Sequence, residues 1–236
     1  NKEHLHLLDG KPLTGTSSVE AVLAKPLTWW ASGLAVSKLG WTNSKLVTPD
    51  ERMVTASIRF AEIKELSNDE YLELLDEAYK AHSVKLKDSA KKGTDLHAEL
   101  EHWVKSQMGK VPERADYDPK IYPYIEWSKK NVKEYIASEA NCYDEELWVG
   151  GKMDAVAMLN DGKLAVIDFK SSKEAYTGQF IQSAGYAIQI EKNGLFSEDG
   201  KHCKKIDGKI EALIVVPFGA EKVEPVIRYE IENYKQ

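Results

Sequence analysis

Between Gly150 and Lys170 the chain reads G-G-K-M-D-A-V-A-M-L-N-D-G-K-L-A-V-I-D-F-K. Two apolar runs of strand character flank Asn160-Asp161-Gly162, a short-range hairpin signal. The first run carries Asp154, and the second carries Asp168 and Lys170. Residues two apart on a strand share a face, so Asp168 and Lys170 point the same way. Where Asp154 points depends on the turn. A two-residue Asp161-Gly162 loop pairs Asp154 with Phe169 and sends the two aspartates to opposite faces. A three-residue loop with Gly162 in the left-handed conformation pairs Asp154 with Asp168. We expect the second register or an equivalent bulge, because a one-residue slip moves every side chain to the other face.

The same patterning places the other elements. Asp9-Gly10, between His4-Leu5-His6-Leu7-Leu8 and Lys11-Pro12-Leu13-Thr14, predicts a first hairpin, with the histidines on its solvent face. Ser17-Ser18-Val19-Glu20 is a capping-box pattern, and Pro26 suits the first turn of a second helix through Trp29, Trp30, Leu34 and Val36. Gly40 to Asp50 reads as a loop. Ser67-Asn68-Asp69-Glu70 caps a helix bearing Tyr71, Leu72, Leu74, Leu75, Ala78 and Tyr79 at helical spacing. A lysine-rich segment then leads to a helix with Leu96, Leu100, Trp103 and Val104 on its buried stripe; His97 lies beside the stripe and Glu99 and His102 face outward. Asp116 to Lys130 reads as a turn and a helix. Val132 to Tyr143 reads as a strand with Tyr135, Ala137, Glu139, Asn141 and Tyr143 on one face. Tyr176 to Lys192 is a helix stopped by Asn193-Gly194, on which Gln182 and Tyr186, four apart, project together. Ile210 to Pro217 is a buried-strand candidate, and Val226 to Ile231 alternates as a terminal strand.

Composition adds bounds. The chain has 236 residues, 42% of them hydrophobic, enough for one sizeable α/β domain or a domain with an appended subdomain. No apolar run approaches the roughly 20 residues of a membrane span, so we expect a soluble protein without membrane contact. Cys142 and Cys203 lie far apart, which leaves a disulfide framework, a structural zinc site and a four-cysteine iron–sulfur cluster unsupported. A net charge of −6 argues against broad coating of duplex DNA but is compatible with a local basic channel. Lys80, Lys85, Lys87, Lys91 and Lys92 against the single acid Asp88 form such a segment, although a charge run is usually a solvated face. One of the adjacent Trp29 and Trp30 must face away from any shared core; Trp30 is our candidate for stacking on a base.

Two carboxylates held together repel, and burial makes their charge costly. A divalent cation resolves both, and oxygen ligands suit magnesium or manganese. A lysine alongside can orient water or steady charge on a phosphate. An ordinary strand-end ion pair accounts for the same spacing, and a histidine such as His97 is more often a satisfied core residue than a ligand.

Taken in order, the residues form a set: Gly93-x-x-x-His97 on a helix, Glu139 on a strand, Gly151-x-x-Asp154, Asp168-x-Lys170, and Gln182-x-x-x-Tyr186 on a helix. This resembles the RecB-like branch of the PD-(D/E)XK nuclease superfamily, and within it the phage and prophage exonucleases. The match covers roughly Gly93 to Pro217, and Gly15 to Ala35 is similar to the N-terminal segment of phage members. Lys152-Met153 stands where the family usually has a proline before the first acid. The resemblance implies a restriction-endonuclease-like α/β core, a mixed central β-sheet flanked by helices, spanning 93–236, with an N-terminal hairpin and helical cap over 1–92. It implies one or two Mg2+ or Mn2+ ions and no iron–sulfur cluster. Asp154, Asp168, His97 and the Phe169 carbonyl would ligate metal, and Lys170 would position the attacking water. Glu139 would serve a second metal or its water shell. Gln182 and Tyr186 would support the site or the DNA backbone, joined in DNA binding by Lys91, Lys92 and Trp30. The implied activity is exonucleolytic hydrolysis of linear single- or double-stranded DNA ends in recombination or repair, in the cytoplasm of a bacterium or phage-infected host. A single-strand annealing protein and self-association are the further partners the resemblance brings. A structure-specific or restriction-like endonuclease, and a DNA-binding module with a vestigial site, remain open alternatives.

Overall fold

A computed structural model describes residues 6–21, 28–197, 200 and 203–235, and the chain divides into two compact units, one of residues 25–91 and one of the remainder. His4 lies outside the described residues. The larger unit is a mixed sheet between two helical layers. Its strands are β1 (Leu7–Leu8), β2 (Lys11–Pro12), β3 (Thr14–Gly15), β4 (Val132–Asp144), β5 (Val149–Leu159), β6 (Leu164–Lys170), β7 (Leu195–Phe196), β8 (Cys203–Lys204), β9 (Ile210–Pro217) and β10 (Val226–Arg228). Strands β1 and β2 form the expected separate hairpin, with Asp9 and Gly10 both at positive φ, as a tight primed turn requires. The main sheet runs β10-β9-β6-β5-β4-β7-β8. Its pairs are antiparallel except β6 with β9, which are parallel and joined through α6 (Thr177–Asn193); β3 adds a short parallel pairing to β5.

Both faces of the central strands are buried. One face carries Ala155, Ala157, Ala165, Ile167 and Phe169, covered by Leu100, Trp103 and Val104 of α4 (Asn68–Gln107) and by Tyr124 and Ile125 of α5 (Tyr122–Asn131). The other carries Met153, Val156, Leu164 and Val166 beneath Phe180, Ala184, Ala187 and Ile190 of α6. Double burial explains why β6 and β9 read as continuous apolar runs. A wide apolar sequence of this kind cannot sit half in water.

The hairpin register is the three-residue one. Met158 pairs with Leu164 and Ala155 with Ile167, Leu159 N–H donates to Lys163 O, and Gly162 sits at φ 87°. One further step in this register would set Asp154 against Asp168, but the ladder ends at Ala155 and Ile167. Strand β4 departs from the expected simple alternation. Its register slips between Val132 and Glu134 and again between Tyr135 and Ala137, and Glu139 adopts φ 54°. Ala137, Ala140 and Cys142 therefore share the α6 face while Tyr135 lies on the other, so the five-residue face from Tyr135 to Tyr143 does not exist. The terminal strand is shorter than expected, ending at Arg228 before a 3-10 turn over Ile231–Tyr234.

The expected boundary near residue 92 holds at one end only. The N-terminal hairpin and α1 (Thr16–Ala21) group with the sheet unit rather than with a 1–92 cap. The cause is local: Thr14 and Gly15 pair with Val149 and Gly150, and Gln189 of α6 donates to Thr16 Oγ1 at 3.0 Å. The smaller unit is helical. It comprises α2 (Thr28–Ser37), α3 (Pro49–Lys64) and the N-terminal part of α4. The loop assigned to Gly40–Asp50 ends two residues early, because Thr48 and Glu51 form a complete capping box that starts α3 at Pro49. The separate helices expected at Asn68 and Gly93 are one 40-residue helix, α4. Lysines are good helix formers, so a basic run has no reason to interrupt it.

Candidate active site

The site lies where β5 and β6 part company. Ladder pairing between them stops at Ala155 and Ile167; beyond it β6 stays with β9, and β5 stays with β4. Continuing the antiparallel pattern, Phe169 N–H faces the departing β5. The Asp154 carboxylate takes that donor instead, Oδ2 accepting at 2.5 Å. Lys170 O accepts from Phe218 N–H on the β9 side, so the alternation of the strand directs the Phe169 carbonyl to the Asp154 side. The splay thus opens a gap in the sheet and lines it with carboxylate and carbonyl oxygens.

Three neighbouring strands each contribute one acid. Glu139 of β4 falls between Ser138, paired with Ala155, and Ala140, paired with Met153, which sets it opposite Asp154. Asp154 in turn faces Asp168. From the helical side His97 of α4 brings Nε2 to 3.1 Å from Asp154 Oδ1. The ring is fixed edge-on against Phe169 and Phe218, with centroids 5.8 and 6.4 Å away. Gly93, one turn earlier, permits the approach: a Cβ there would lie 3.2 Å from Ser171 Cβ.

From the opposite face α6 supplies a positioning chain. Lys170 Nζ lies 2.8 Å from Asp168 Oδ2 and donates to Gln182 Oε1 at 2.8 Å; Gln182 Nε2 donates to Tyr186 OH at 2.9 Å. Gln182 and Tyr186 are buried. The i, i+4 spacing puts both on the sheet side of α6, so the polar Gln182 is buried because it orients a lysine. Gly151 leaves room for the tyrosine, since a Cβ there would meet Tyr186 Cε1 at 2.9 Å.

The electrostatics are those of an overcrowded acid site. Burial pushes Asp168 up to about 7; Lys170 opposes the shift and the Asp154 charge adds to it. Glu139 is raised by burial too, against the pull of its ion pair with Lys152. For His97, burial works against the imidazolium, but the Asp154 hydrogen bond and charge, with Glu139 and Glu101 behind them, outweigh it and raise the group. Two carboxylate oxygens remain without a directed hydrogen bond: Glu139 Oε1 and Asp168 Oδ2, the latter in ionic contact only with Lys170. Buried acceptors left in that condition are uncommon, and they fit a donor set completed by a hard divalent cation.

Of the sequence candidates, His97, Glu139, Asp154, Asp168, Phe169, Lys170, Gln182 and Tyr186 converge here. Trp30 belongs to the smaller unit, where it is 38% exposed and its neighbour Trp29 88%. Lys91 and Lys92 fall in α4, but their side chains lie outside the described residues. Sequence reading missed Glu101. Its carboxylate, one His97 ring nitrogen and one Glu139 oxygen lie within 4.8 Å of one another, a second arrangement able to hold metal. The signal was present, since Glu101 is one helical turn from His97. Glu99 instead bonds Arg114 at 2.6 Å. Cys142 is buried and unpaired, its thiol raised by burial. Among the described residues no helix is long and apolar enough to cross a membrane. Comparison with protein-family models and with curated proteins finds no match.

Proposed function

We propose that this chain is a metal-dependent deoxyribonuclease with a restriction-endonuclease-like core, acting as an exonuclease on linear DNA. The observation that carries the reading is the register that sets Asp154 against Asp168, with His97 bonded to the first and Lys170 to the second. A Mg2+ or Mn2+ ion held by Asp154, Asp168, His97 and the Phe169 carbonyl would supply Lewis acidity and charge neutralisation at a phosphodiester.

The chain's own groups account for the rest. Lys170, fixed by Asp168 and Gln182, holds the attacking water in line and steadies the negative charge that develops on the non-bridging oxygens. Tyr186 fixes the Gln182 amide, so the ammonium keeps one position instead of sampling several rotamers. Glu139 accepts hydrogen bonds from water on the β4 side or holds a second ion, with Glu101 and His97 as the other donors. Hydrolysis would leave a 5′-phosphate and a 3′-hydroxyl. The intact acid–acid–lysine set argues for a working site over a vestigial one.

The test uses end-labelled linear single- and double-stranded DNA beside a closed circle, with magnesium, manganese or neither. We expect metal-dependent, progressive loss of the linear substrates and an intact circle, abolished by Lys170→Ala. Nicking of the circle would establish an endonuclease instead. Binding without cleavage under either metal would contradict the enzymatic reading.

A further inference from the structure

The lysines that follow α6 in sequence have no part in the hydrolytic site, yet one of them, Lys204, closes a pocket next to it. The pocket, about 380 Å3, is lined by Lys105 of α4, Lys110 of the turn after α4, Lys204 of β8, and Ser138 and Glu139 of β4, with Phe196 among its apolar residues. Three lysines from three separate segments line one small cavity. Among the described lining residues the one acid is Glu139, which Lys152 already neutralises in part from outside the lining. Ser138 is 7% exposed and its hydroxyl makes no hydrogen bond, leaving an unused donor on a residue of the pocket wall.

We propose that this pocket binds a phosphate group of the DNA strand being cut, an inference that rests on the nuclease reading and extends it to how the substrate is held. Glu139 is the shared wall between the pocket and the metal-binding residues. His97, Glu101 and Lys105 lie on successive turns of one α4 face, so this ridge leads from Asp154 to the pocket. Eight residues of helix span about 12 Å. The pocket therefore meets a phosphate within a few nucleotides of the scissile bond. Ammonium groups act as point charges and suit a phosphate whatever base it carries. A chain of net charge −6 must concentrate its strand-holding charge locally, and this pocket does so. Lys105 shares its ammonium with Glu101, which leaves Lys110 and Lys204 as the residues to test. The phosphate could be an internal diester or a terminal monoester; the chemistry of recognition is common to both.

Binding of labelled oligonucleotides to the non-cleaving Lys170→Ala protein, measured over a range of potassium chloride, tests this without requiring hydrolysis. Adding Lys110→Gln and Lys204→Gln is expected to reduce the slope of log affinity against log salt by about 0.7 to 0.9, the share of one phosphate, and to weaken binding about tenfold at low salt. In the otherwise native protein the same pair should raise KM while leaving kcat within about twofold. Oligonucleotides with a 5′-phosphate, a 3′-phosphate or hydroxyls at both ends separate the sources. A loss confined to one phosphorylated end assigns a terminal monoester, and an equal loss across all three assigns an internal diester. An unchanged salt slope and affinity would overturn the proposal. Should the native protein cleave nothing, the nuclease reading fails while the salt slope still decides the pocket.

Discussion

Asp168 is a carboxylate in a position that disfavours its own charge. It is 3% exposed, faces Asp154, and is raised by burial to about 7 from an ordinary value of 3.8, with Lys170 and, more weakly, His97 in opposition. Between those values the folded chain binds more protons than the unfolded chain, so the metal-free protein loses stability at this group as pH rises from about 4 to 7. Asp168→Asn should therefore stabilise the metal-free protein at pH 8 by about 1–3 kcal/mol after allowing for the counter-charge lost at Lys170, seen as a higher thermal midpoint. At pH 4 the same substitution should change little. A matched pair of melting curves checks this, and an equal effect at both pH values would refute it. His97 is raised as well, so acid holds a proton on both prospective ligands. Manganese affinity should consequently climb as pH rises through the neutral range, with proton release visible as a dependence of binding heat on the buffer.

At the scale of elements, function depends on two places where regular structure breaks: the three-residue hairpin turn and the splay beyond Ala155 and Ile167. The first is partly legible in sequence, because Asn-Asp-Gly between apolar runs allows a two-residue or a three-residue turn and only the second brings Asp154 level with Asp168. The positive φ of Glu139 and the slips in β4 are not, because a bulge leaves an apolar pattern almost unchanged while re-aiming one side chain. Nor does periodicity reveal α3, whose apolar residues Met53, Val54, Ile58 and Phe60 are all exposed and mark no buried stripe; its start is visible only in the Thr48-to-Glu51 capping box. The packing of β5 against α6 is a further consequence of these elements. Gly151→Ala would drive a methyl into Tyr186 and Thr16. We expect it to cost about 1–3 kcal/mol by overpacking and to lower kcat about tenfold through the Tyr186, Gln182 and Lys170 chain. Full activity in a destabilised Gly151→Ala protein would show that this chain does not position the lysine.

Across the whole molecule, the unit that carries the site is assembled from both ends of the chain. Its N-terminal piece is tied in by the β3–β5 pairing and by Thr16 with Gln189, contacts more than a hundred residues apart in sequence. The resemblance suggests a division near residue 92, but the order of its motifs carries no information on such long-range pairing. Replacing Thr16 with Val leaves the buried Gln189 amide without this partner and should cost about 1–3 kcal/mol in denaturant unfolding. A midpoint unchanged by the substitution would show that the N-terminal segment contributes nothing to the sheet unit.

The most direct test of the account is manganese binding, followed by electron paramagnetic resonance, in three proteins assayed in parallel for DNA cleavage: native, Asp154→Asn and Lys170→Ala. The account predicts that the native protein binds and cleaves, that Asp154→Asn weakens binding by at least about tenfold and does not cleave, and that Lys170→Ala binds as the native protein does without cleaving. Manganese binding by Asp154→Asn at native affinity, or cleavage by Lys170→Ala at the native rate, would contradict it.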